Sequence, residues 1–191
     1  MNTKERPSVA ELETELRRVK YKRRYNTVLK STVYSLITVA AVAVLVATLW
    51  LPVLQIYGSS MTPTLQDGQI VFSVKTQKMN QGDVIAFYYN NKILIKRVIA
   101  TPGDWVTIDE NGTVYVNDRL LEEPYIAEKS YGDADIEFPY QVPDGKFFVM
   151  GDHRATSADS RHTAVGCVAP DQIVGKIVFR VWPLDEMGTI Y

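Results

Sequence analysis

The sequence predicts a mainly β protein, with an antiparallel barrel-like or sandwich-like domain behind one N-terminal transmembrane helix. The first supporting observation is an apolar run from Val33 to Leu51, inside a stretch without charge between Lys30 and Asp67. The second is a series of short segments after Pro52 that are rich in β-branched and aromatic residues and bounded by turn residues. Regular short strands of this kind are typical of antiparallel β domains.

The apolar run has the length of a membrane-spanning helix. A bilayer core of about 30 Å needs about 20 apolar residues in helical form. The run is longer than the apolar region of a cleaved secretory signal, about 7–15 residues, and it ends in Trp-Leu-Pro rather than in small residues. An uncleaved anchor is therefore favoured over a cleaved signal, with Trp50 and Tyr57 in the outer interfacial belt.

Basic residues crowd the segment before the run, although the chain as a whole has a net charge of −1. The positive-inside rule then predicts that the N-terminus is cytoplasmic. Ser8 and Glu11 have capping-box spacing, which predicts the start of a helix. We expect a cytoplasmic basic helix at 1–30, the anchor in the cell membrane at 31–53 and an extracytoplasmic β domain at 54–191.

The segments after the anchor alternate with turn signals such as Asn90-Asn91 and Asn111-Gly112. Between 104 and 145 the composition becomes acidic and the apolar runs become short, which predicts an acidic β insertion in the form of an exposed ribbon. No long helical pattern follows residue 60. The predicted strands are 69–75, 83–89, 93–99, 105–108, 113–116, 146–150 and 172–181.

The composition argues against several kinds of site. The nearly balanced charge argues against a nucleic-acid partner, because no basic face dominates. Cys167 is the single cysteine, which excludes an intramolecular disulfide, and it is expected to be a small buried apolar residue. His153 and His162 are too few for a histidine-based zinc site without carboxylates. We expect no metal and no cofactor.

Ser60 lies in a turn sequence, Tyr-Gly-Ser-Ser-Met-Thr-Pro-Thr-Leu at 57–65. Gly58 permits unusual backbone angles and Pro63 pre-shapes the chain after the serine. Such a turn can present a hydroxyl next to a free backbone N–H that stabilises an oxyanion. On the turn alone, an ordinary turn serine is the favoured interpretation.

Lys96 lies in an aliphatic strand, Leu-Ile-Lys-Arg-Val-Ile at 94–99. Alternation places Lys96 on one face with Leu94 and Val98. If that face is buried, the amine must be neutral or paired, and burial lowers its pKa by several units. A neutral amine is a usable base for a serine, although a surface lysine remains the alternative interpretation.

Three blocks resemble those of the bacterial type I signal peptidases, the membrane-anchored Ser-Lys proteases. Ser60-Met-Thr-Pro-Thr-Leu65 is similar to the nucleophile block of that family. Lys96-Arg-Val-Ile99 with Pro-Gly-Asp at 102–104 is similar to the general-base block. Gly-Asp-His-Arg at 151–154 with Ser-Ala-Asp-Ser-Arg at 157–161 is similar to the C-terminal block. The order of the blocks behind one anchor makes the resemblance specific.

The resemblance implies that the chain cleaves signal peptides from exported preproteins after small residues. Ser60 would be the nucleophile, with its backbone N–H as the oxyanion donor, and Lys96 the general base. Ser157 would orient the Lys96 amine. Two supporting ion pairs would be Asp159 with Arg161, and Asp152 with Arg97. The implied partners are preproteins and membrane lipid, without nucleic acid.

The resemblance also implies two apolar pockets for the substrate. The pocket for the residue before the cut would be lined by Ile56, Met61, Leu65, Leu94 and Ile95. The pocket for the third residue before the cut would be lined by Leu54, Val71, Ala86 and Ile95. The chain departs from the family at Gly58, where some members carry a serine that assists the oxyanion hole, and at His153, which replaces an asparagine.

Three alternatives remain open from the sequence. The first is a Ser-His-Asp hydrolase that uses His153 or His162 with Asp152 or Asp159. The second is an assembly factor for surface fibres, as in relatives that have lost the dyad. The third is a self-cleaving regulator with the same dyad, which the anchor and the lack of a DNA-binding helix pair disfavour.

Overall fold

The chain divides into two compact units, Met1–Ala47 and Thr48–Tyr191. A computed structural model describes residues 8–50, 52–76 and 78–190, and for 46–50 it describes the backbone alone. The predicted interfacial position of Trp50 and the end of the apolar run at Leu51 therefore lie outside the described side chains.

The described part of the first unit is almost entirely helical, and it belongs to α1, Val9–Trp50, which is 42 residues long. The predicted capping box is formed, because the Ser8 N–H donates to Glu11 Oε2 at 2.9 Å and the Glu11 N–H donates to Ser8 Oγ at 3.4 Å. The predicted cytoplasmic helix and anchor are continuous in α1. Within Val9–Leu45, α1 is long and apolar enough to cross a membrane, by length and composition.

The second unit is built from eleven strands, all in antiparallel pairs. The predicted strands agree with the observed ones to within a few residues, because β-branched and aromatic runs between turn residues favour extended backbone. The strands are β1 Val53–Gln55, β2 Ile70–Val74, β3 Val84–Tyr89, β4 Lys92–Ala100, β5 Trp105–Ile108, β6 Val114–Val116, β7 Arg119–Leu120, β8 Tyr140–Gln141, β9 Phe148–Met150, β10 Ile173–Trp182 and β11 Gly188–Thr189.

The larger sheet has seven strands in the order β1-β2-β10-β3-β4-β9, with β11 on β10. In the described part of the chain β1 and β9 are not paired with each other, so the sheet does not close. The prediction of a mainly antiparallel β domain is confirmed, but the barrel-like form is corrected to an open sheet. The register of β3 with β4 places Ile85 opposite Lys96 and Val84 opposite Arg97.

The smaller sheet has four strands in the order β7-β6-β5-β8 and lies within the acidic stretch 104–145. Its inner side chains, such as Val106 and Val114, share a hydrophobic cluster with Ile99 of β4 and Phe148 of β9. The expectation of an exposed ribbon is wrong, because the short apolar runs of this stretch complete a core of the domain.

The strand β4 lies between β3 and β9 in the larger sheet and is buried over its second half. From Lys96 to Ala100 every residue is buried. Leu94 and Val98 pack in one cluster with Ile85, while Ile95 packs in another with Ile56, as alternation along a strand predicts. Lys96 is therefore held in the interior, whereas Lys92 at the start of the same strand is exposed.

Candidate active site

The serine turn is fixed at both ends by backbone hydrogen bonds. The Ile56 N–H donates to the Gln69 carbonyl at 2.8 Å, and the Gly68 N–H donates to the Ile56 carbonyl at 2.9 Å. Gly58 has a φ of +85°, in the region that favours glycine, and its N–H donates to Asp67 Oδ1 at 2.6 Å. The turn connects β1 to β2 and leaves Ser60 half-buried.

Ser60 contacts Lys96, which lies in β4, 36 residues later in the sequence. Lys96 Nζ donates to Ser60 Oγ at 2.7 Å. The Lys96 side chain is almost without solvent contact, since the residue is 2% exposed. The contact joins a nucleophile to a base within direct proton-transfer range.

Burial lowers the pKa of the Lys96 ammonium from its ordinary value of 10.5 to about 8. The carboxylates of Asp159 and Asp152 raise this pKa, and the Arg161 guanidinium lowers it. Desolvation is the largest cause, because a cation loses its hydration in the interior. With this pKa the amine is about one-tenth neutral at pH 7, about half neutral at pH 8 and almost entirely neutral at about pH 10.

A cavity of about 500 Å³ opens beside the dyad and is bordered by both Ser60 and Lys96. Five of the predicted pocket residues line it: Leu54, Ile56, Met61, Leu94 and Ile95. The other three, Leu65, Val71 and Ala86, are fully buried in the same hydrophobic cluster as Ile56 and Met61 and do not line the cavity. These three support the wall of the cavity.

The lining also contains residues that the sequence did not indicate. They are Gln55, Tyr57, Gly58, Asn91, Lys92 and Ile93. The sequence signal that could have identified them is their closeness in the chain to the predicted lining residues. A larger cleft of about 700 Å³, bordered by Asn80 and Arg119, contains neither Ser60 nor Lys96, so size does not mark the reactive cavity here.

Both predicted supporting ion pairs are formed and buried. Arg97 Nε and Nη2 donate to the two oxygens of Asp152 at 2.9 and 2.8 Å. Arg161 Nε donates to Asp159 Oδ1 at 2.8 Å. Each side chain of the two pairs is at most 1% exposed. Such bidentate pairs are geometrically restrictive. The Arg97–Asp152 pair fixes the loop after β9 against β4, whereas the Arg161–Asp159 pair lies within that loop.

Ser157 reaches the site without the predicted contact to Lys96. Its Oγ is buried and has no hydrogen-bond partner among the described residues. Its position is close to the serine turn, because a Cβ added at Gly151 would lie 2.2 Å from Ser157 Oγ and 2.5 Å from the Ser60 carbonyl oxygen. An unpaired buried hydroxyl is unfavourable, so Ser157 holds an unused donor and acceptor next to the dyad.

The two histidine side chains are hydrogen-bonded elsewhere. His153 Nδ1 lies 2.8 Å from Thr156 Oγ1, although the His153 backbone N–H donates to the Ser60 carbonyl at 3.1 Å. His162 Nδ1 lies 3.3 Å from Asp135 Oδ2. In the described part of the chain neither ring is bonded to Ser60, and this geometry disfavours a Ser-His-Asp arrangement.

Two residues of the acidic stretch reach the site and were missed by sequence reasoning. The Tyr125 ring lies under the Arg97 guanidinium, with 3.9 Å between the guanidinium carbon and the ring centroid. Glu123 forms a buried ion pair with Arg154. Both residues lie in an irregular segment between β7 and β8, where no periodic pattern signals burial.

The chain is similar to known proteins of one family. The family described as "Signal peptidase, peptidase S26" matches residues 29–182. A signal peptidase I of Streptococcus pneumoniae serotype 4 is 32% identical over 174 residues, which cover 71% of this chain and 84% of that protein. Signal peptidase IB of Staphylococcus aureus is 41% identical over 152 residues, which cover 69% of this chain and 78% of that protein.

A crystal structure of a signal peptidase I from Enterococcus faecalis V583 aligns with 30% identity and a TM-score of 0.45, over 52% of this chain and 96% of that one. The extent of the family match and the identity to the two relatives establish the assignment. The chain belongs to the peptidase S26 family of signal peptidases and is a serine endopeptidase that cleaves signal peptides from preproteins.

Proposed function

We propose that Ser60 and Lys96 are the Ser-Lys dyad with which this chain cleaves signal peptides after small residues. The observation that carries the proposal is the 2.7 Å contact between Ser60 Oγ and Lys96 Nζ, whose residue is only 2% exposed. Burial is what makes a lysine useful as a base near neutrality.

The proposed reaction begins with a neutral Lys96 amine. It takes the proton of Ser60 Oγ while that oxygen attacks the carbonyl carbon before the cut. The Ser60 backbone N–H, which donates no hydrogen bond within the described residues, is free to bind the developing oxyanion. The Lys96 ammonium then gives its proton to the departing amine, which is the new N-terminus of the mature protein.

The second half returns the enzyme to its starting state. Lys96, neutral again, takes a proton from a water molecule that attacks the acyl ester on Ser60. Collapse of this intermediate breaks the ester bond, the Lys96 ammonium returns its proton to Ser60 Oγ, and the signal peptide leaves with a new C-terminal carboxyl group. We place Ser157 beside the amine in these steps, because its unpaired hydroxyl is available to orient Lys96 when the bond to Ser60 is broken. Asp152, Arg97, Asp159 and Arg161 have supporting roles.

Selectivity for small residues is proposed to come from the apolar walls of the cavity. Ile56, Met61, Leu94 and Ile95 line it, and Leu65, Val71 and Ala86 back it from the core. Well-packed walls exclude large side chains more effectively than they recognise chemical groups. Alanine, glycine and serine are therefore the expected residues before the cut.

We further propose a single-pass membrane topology with the catalytic domain outside the cytoplasm. The segment 1–30 would be cytoplasmic, 31–53 the anchor, and 54–191 extracytoplasmic with 104–145 as an acidic insertion. The charge asymmetry around the apolar run supports this orientation. Lipid would contact the anchor, and preproteins rather than nucleic acid would be the partners.

The test is cleavage of a signal-bearing preprotein in detergent by the wild type and four variants. Ser60→Ala and Lys96→Ala are each expected to abolish cleavage, and the double variant to be little worse, because the two residues act as one unit. Lys146→Ala, at an exposed lysine before β9, is the matched control and should retain activity. Substantial turnover by Ser60→Ala would contradict the proposal.

A further inference from the structure

Arg97, the residue after the proposed base, is enclosed on several sides. Its guanidinium binds both oxygens of Asp152, and Nη1 donates to the Gly82 carbonyl at 2.8 Å. The face of the guanidinium is covered by the Tyr125 ring at 3.9 Å. Arg97 is 1% exposed, so Tyr125 belongs to the layer that separates this cation from water.

Tyr125 is itself held against the C-terminal block. Its hydroxyl donates to Glu123 Oε1 at 3.0 Å, and Glu123 is ion-paired to Arg154. Arg154 Nε donates to the Gly151 carbonyl at 3.0 Å, next to the backbone of Ser60. The side chains of the Glu123–Arg154 pair are at most 2% exposed. Tyr125 is therefore fixed on the site rather than resting on it loosely.

We propose that Tyr125 is a positioning residue for the Ser60–Lys96 dyad. Its ring covers the Arg97 guanidinium and, through the buried Arg97–Asp152 pair, maintains the dry and balanced surroundings in which Lys96 acts as a base. The inference rests on the proposed function, and it gives the acidic stretch 104–145 a role in the reaction.

The charges around Lys96 give the effect a direction. The groups that face it are the Ser60 hydroxyl, the carboxylates of Asp152 and Asp159, and the Arg161 guanidinium. Loss of the ring would admit water to Arg97 and weaken the hold of Arg97 on Asp152. Because the Asp152 carboxylate raises the pKa of Lys96, a weaker Arg97–Asp152 pair leaves that carboxylate less neutralised and favours the ammonium form of Lys96.

Tyr125 does not itself ionise in the useful range. Burial, and after it the Glu123 carboxylate, raises the pKa of the Tyr125 hydroxyl, against the opposing effect of Arg154 and Arg97. A change in the pH profile of a Tyr125 variant is therefore attributable to the base and not to loss of a titrating phenol.

The experiment measures initial rate against pH, from 6 to 10, on a short signal-peptide substrate with the full chain in detergent. For Tyr125→Leu the part of the pH profile in which the rate rises should move up by about one pH unit, the lower end of the shift that a nearby opposite charge causes. The rate at pH 7 would fall about tenfold, while the rate at pH 10 would stay within about twofold of wild type. Tyr125→Phe keeps the ring, so its rate should rise with pH over the same range as that of wild type.

A matched control is Tyr115→Leu, at a half-buried tyrosine of β6 in the same small sheet. The rate of this variant should rise with pH over the same range as that of wild type. If Tyr125→Leu does not fold, Tyr125→Met removes the aromatic face while it retains side-chain bulk. Circular dichroism at each pH separates unfolding from titration.

The outcomes distinguish this inference from the proposed function. Cleavage of the substrate by the Ser60→Ala variant would contradict the proposed function. If wild-type cleavage depends on Ser60, two results would overturn the positioning role alone. One is a Tyr125→Leu pH profile that rises at the same pH as that of wild type. The other is an equal loss of rate at pH 7 and at pH 10.

Discussion

At the scale of single residues, the burial of Lys96 has opposite consequences for activity and for stability. The lowered pKa, about 8, supplies a neutral amine for the reaction. It also means that folding releases a proton from the lysine when the pH lies between about 8 and the ordinary pKa of 10.5. Between these two values the unfolded chain binds a proton that the folded chain has released, so stability rises with pH in this window. At pH 7 the full cost of burying the amine is present.

Replacement of Lys96 by Met should therefore stabilise the fold while it abolishes activity. A shift of this size corresponds to an order of about 3 kcal/mol, from which loss of the Ser60 hydrogen bond subtracts about 1 kcal/mol. We expect the Tm of the full chain in detergent to be higher for Lys96→Met than for wild type at pH 7. The gap should narrow as the pH approaches 10, and a gap that is absent or reversed at pH 7 would contradict the buried state of the amine.

The cavity beside Ser60 leads to a prediction about substrate. Leucine in place of alanine before the cut must be accommodated against Ile56 and Met61, which are at most 3% exposed and closely packed. Overpacking of such a site costs about 1–3 kcal/mol, which corresponds to a fall in kcat/KM of about 5- to 150-fold. Rates on paired peptides that differ at this residue provide the measurement. Equal rates would show that another surface selects the residue.

At the scale of elements, the strands were predictable and the contacts between them were not. The run 93–99 has a composition that defines a strand by itself, and alternation along it places Leu94 with Val98. The approach of Ser60 to Lys96 depends on the order of strands in the sheet, which no local pattern encodes. The family resemblance supplied that pairing. The contact of Tyr125 with Arg97 had no counterpart in any motif.

Gly151, at the end of β9, tests how closely the elements approach at the site. A Cβ there would meet Ser157 Oγ at 2.2 Å and the Ser60 carbonyl at 2.5 Å, so Gly151→Ala must displace one of them. A misplacement of about 1 Å at a catalytic group costs on the order of 100-fold in rate. Gly188→Ala is the control, since its Cβ would have no neighbour within 4 Å. Activity of Gly151→Ala within about twofold of wild type would contradict this close approach.

At the scale of the whole molecule, composition alone predicted an apolar helix ahead of an antiparallel β domain. The sequence misled on closure of the sheet, because strand order and not strand content decides whether a sheet forms a barrel. It also misled on the acidic stretch 104–145, because the apolar residues that face the core, such as Val106 and Val142, are scattered among carboxylates and form no long apolar run.

Removal of the anchor should separate chemistry from access to substrate. A fragment without residues 1–53 is expected to cleave a soluble signal peptide at a rate similar to that of the full chain. On a preprotein embedded in vesicles it should be slower by at least about tenfold, because a shared membrane raises effective concentration. Equal rates on the vesicle-bound preprotein would refute this role of the anchor.

The pH dependence of the wild-type rate tests the Ser-Lys account most directly. The measurement is initial rate on a short signal-peptide substrate between pH 5 and 10, with the Lys96→Arg and His153→Ala variants in parallel. The buried lysine predicts a rate that rises through an apparent pKa near 8, an inactive Lys96→Arg because arginine keeps its proton, and an active His153→Ala. A rate that is already constant by about pH 7, with His153→Ala inactive and Lys96→Arg active, would contradict the account in favour of a histidine base.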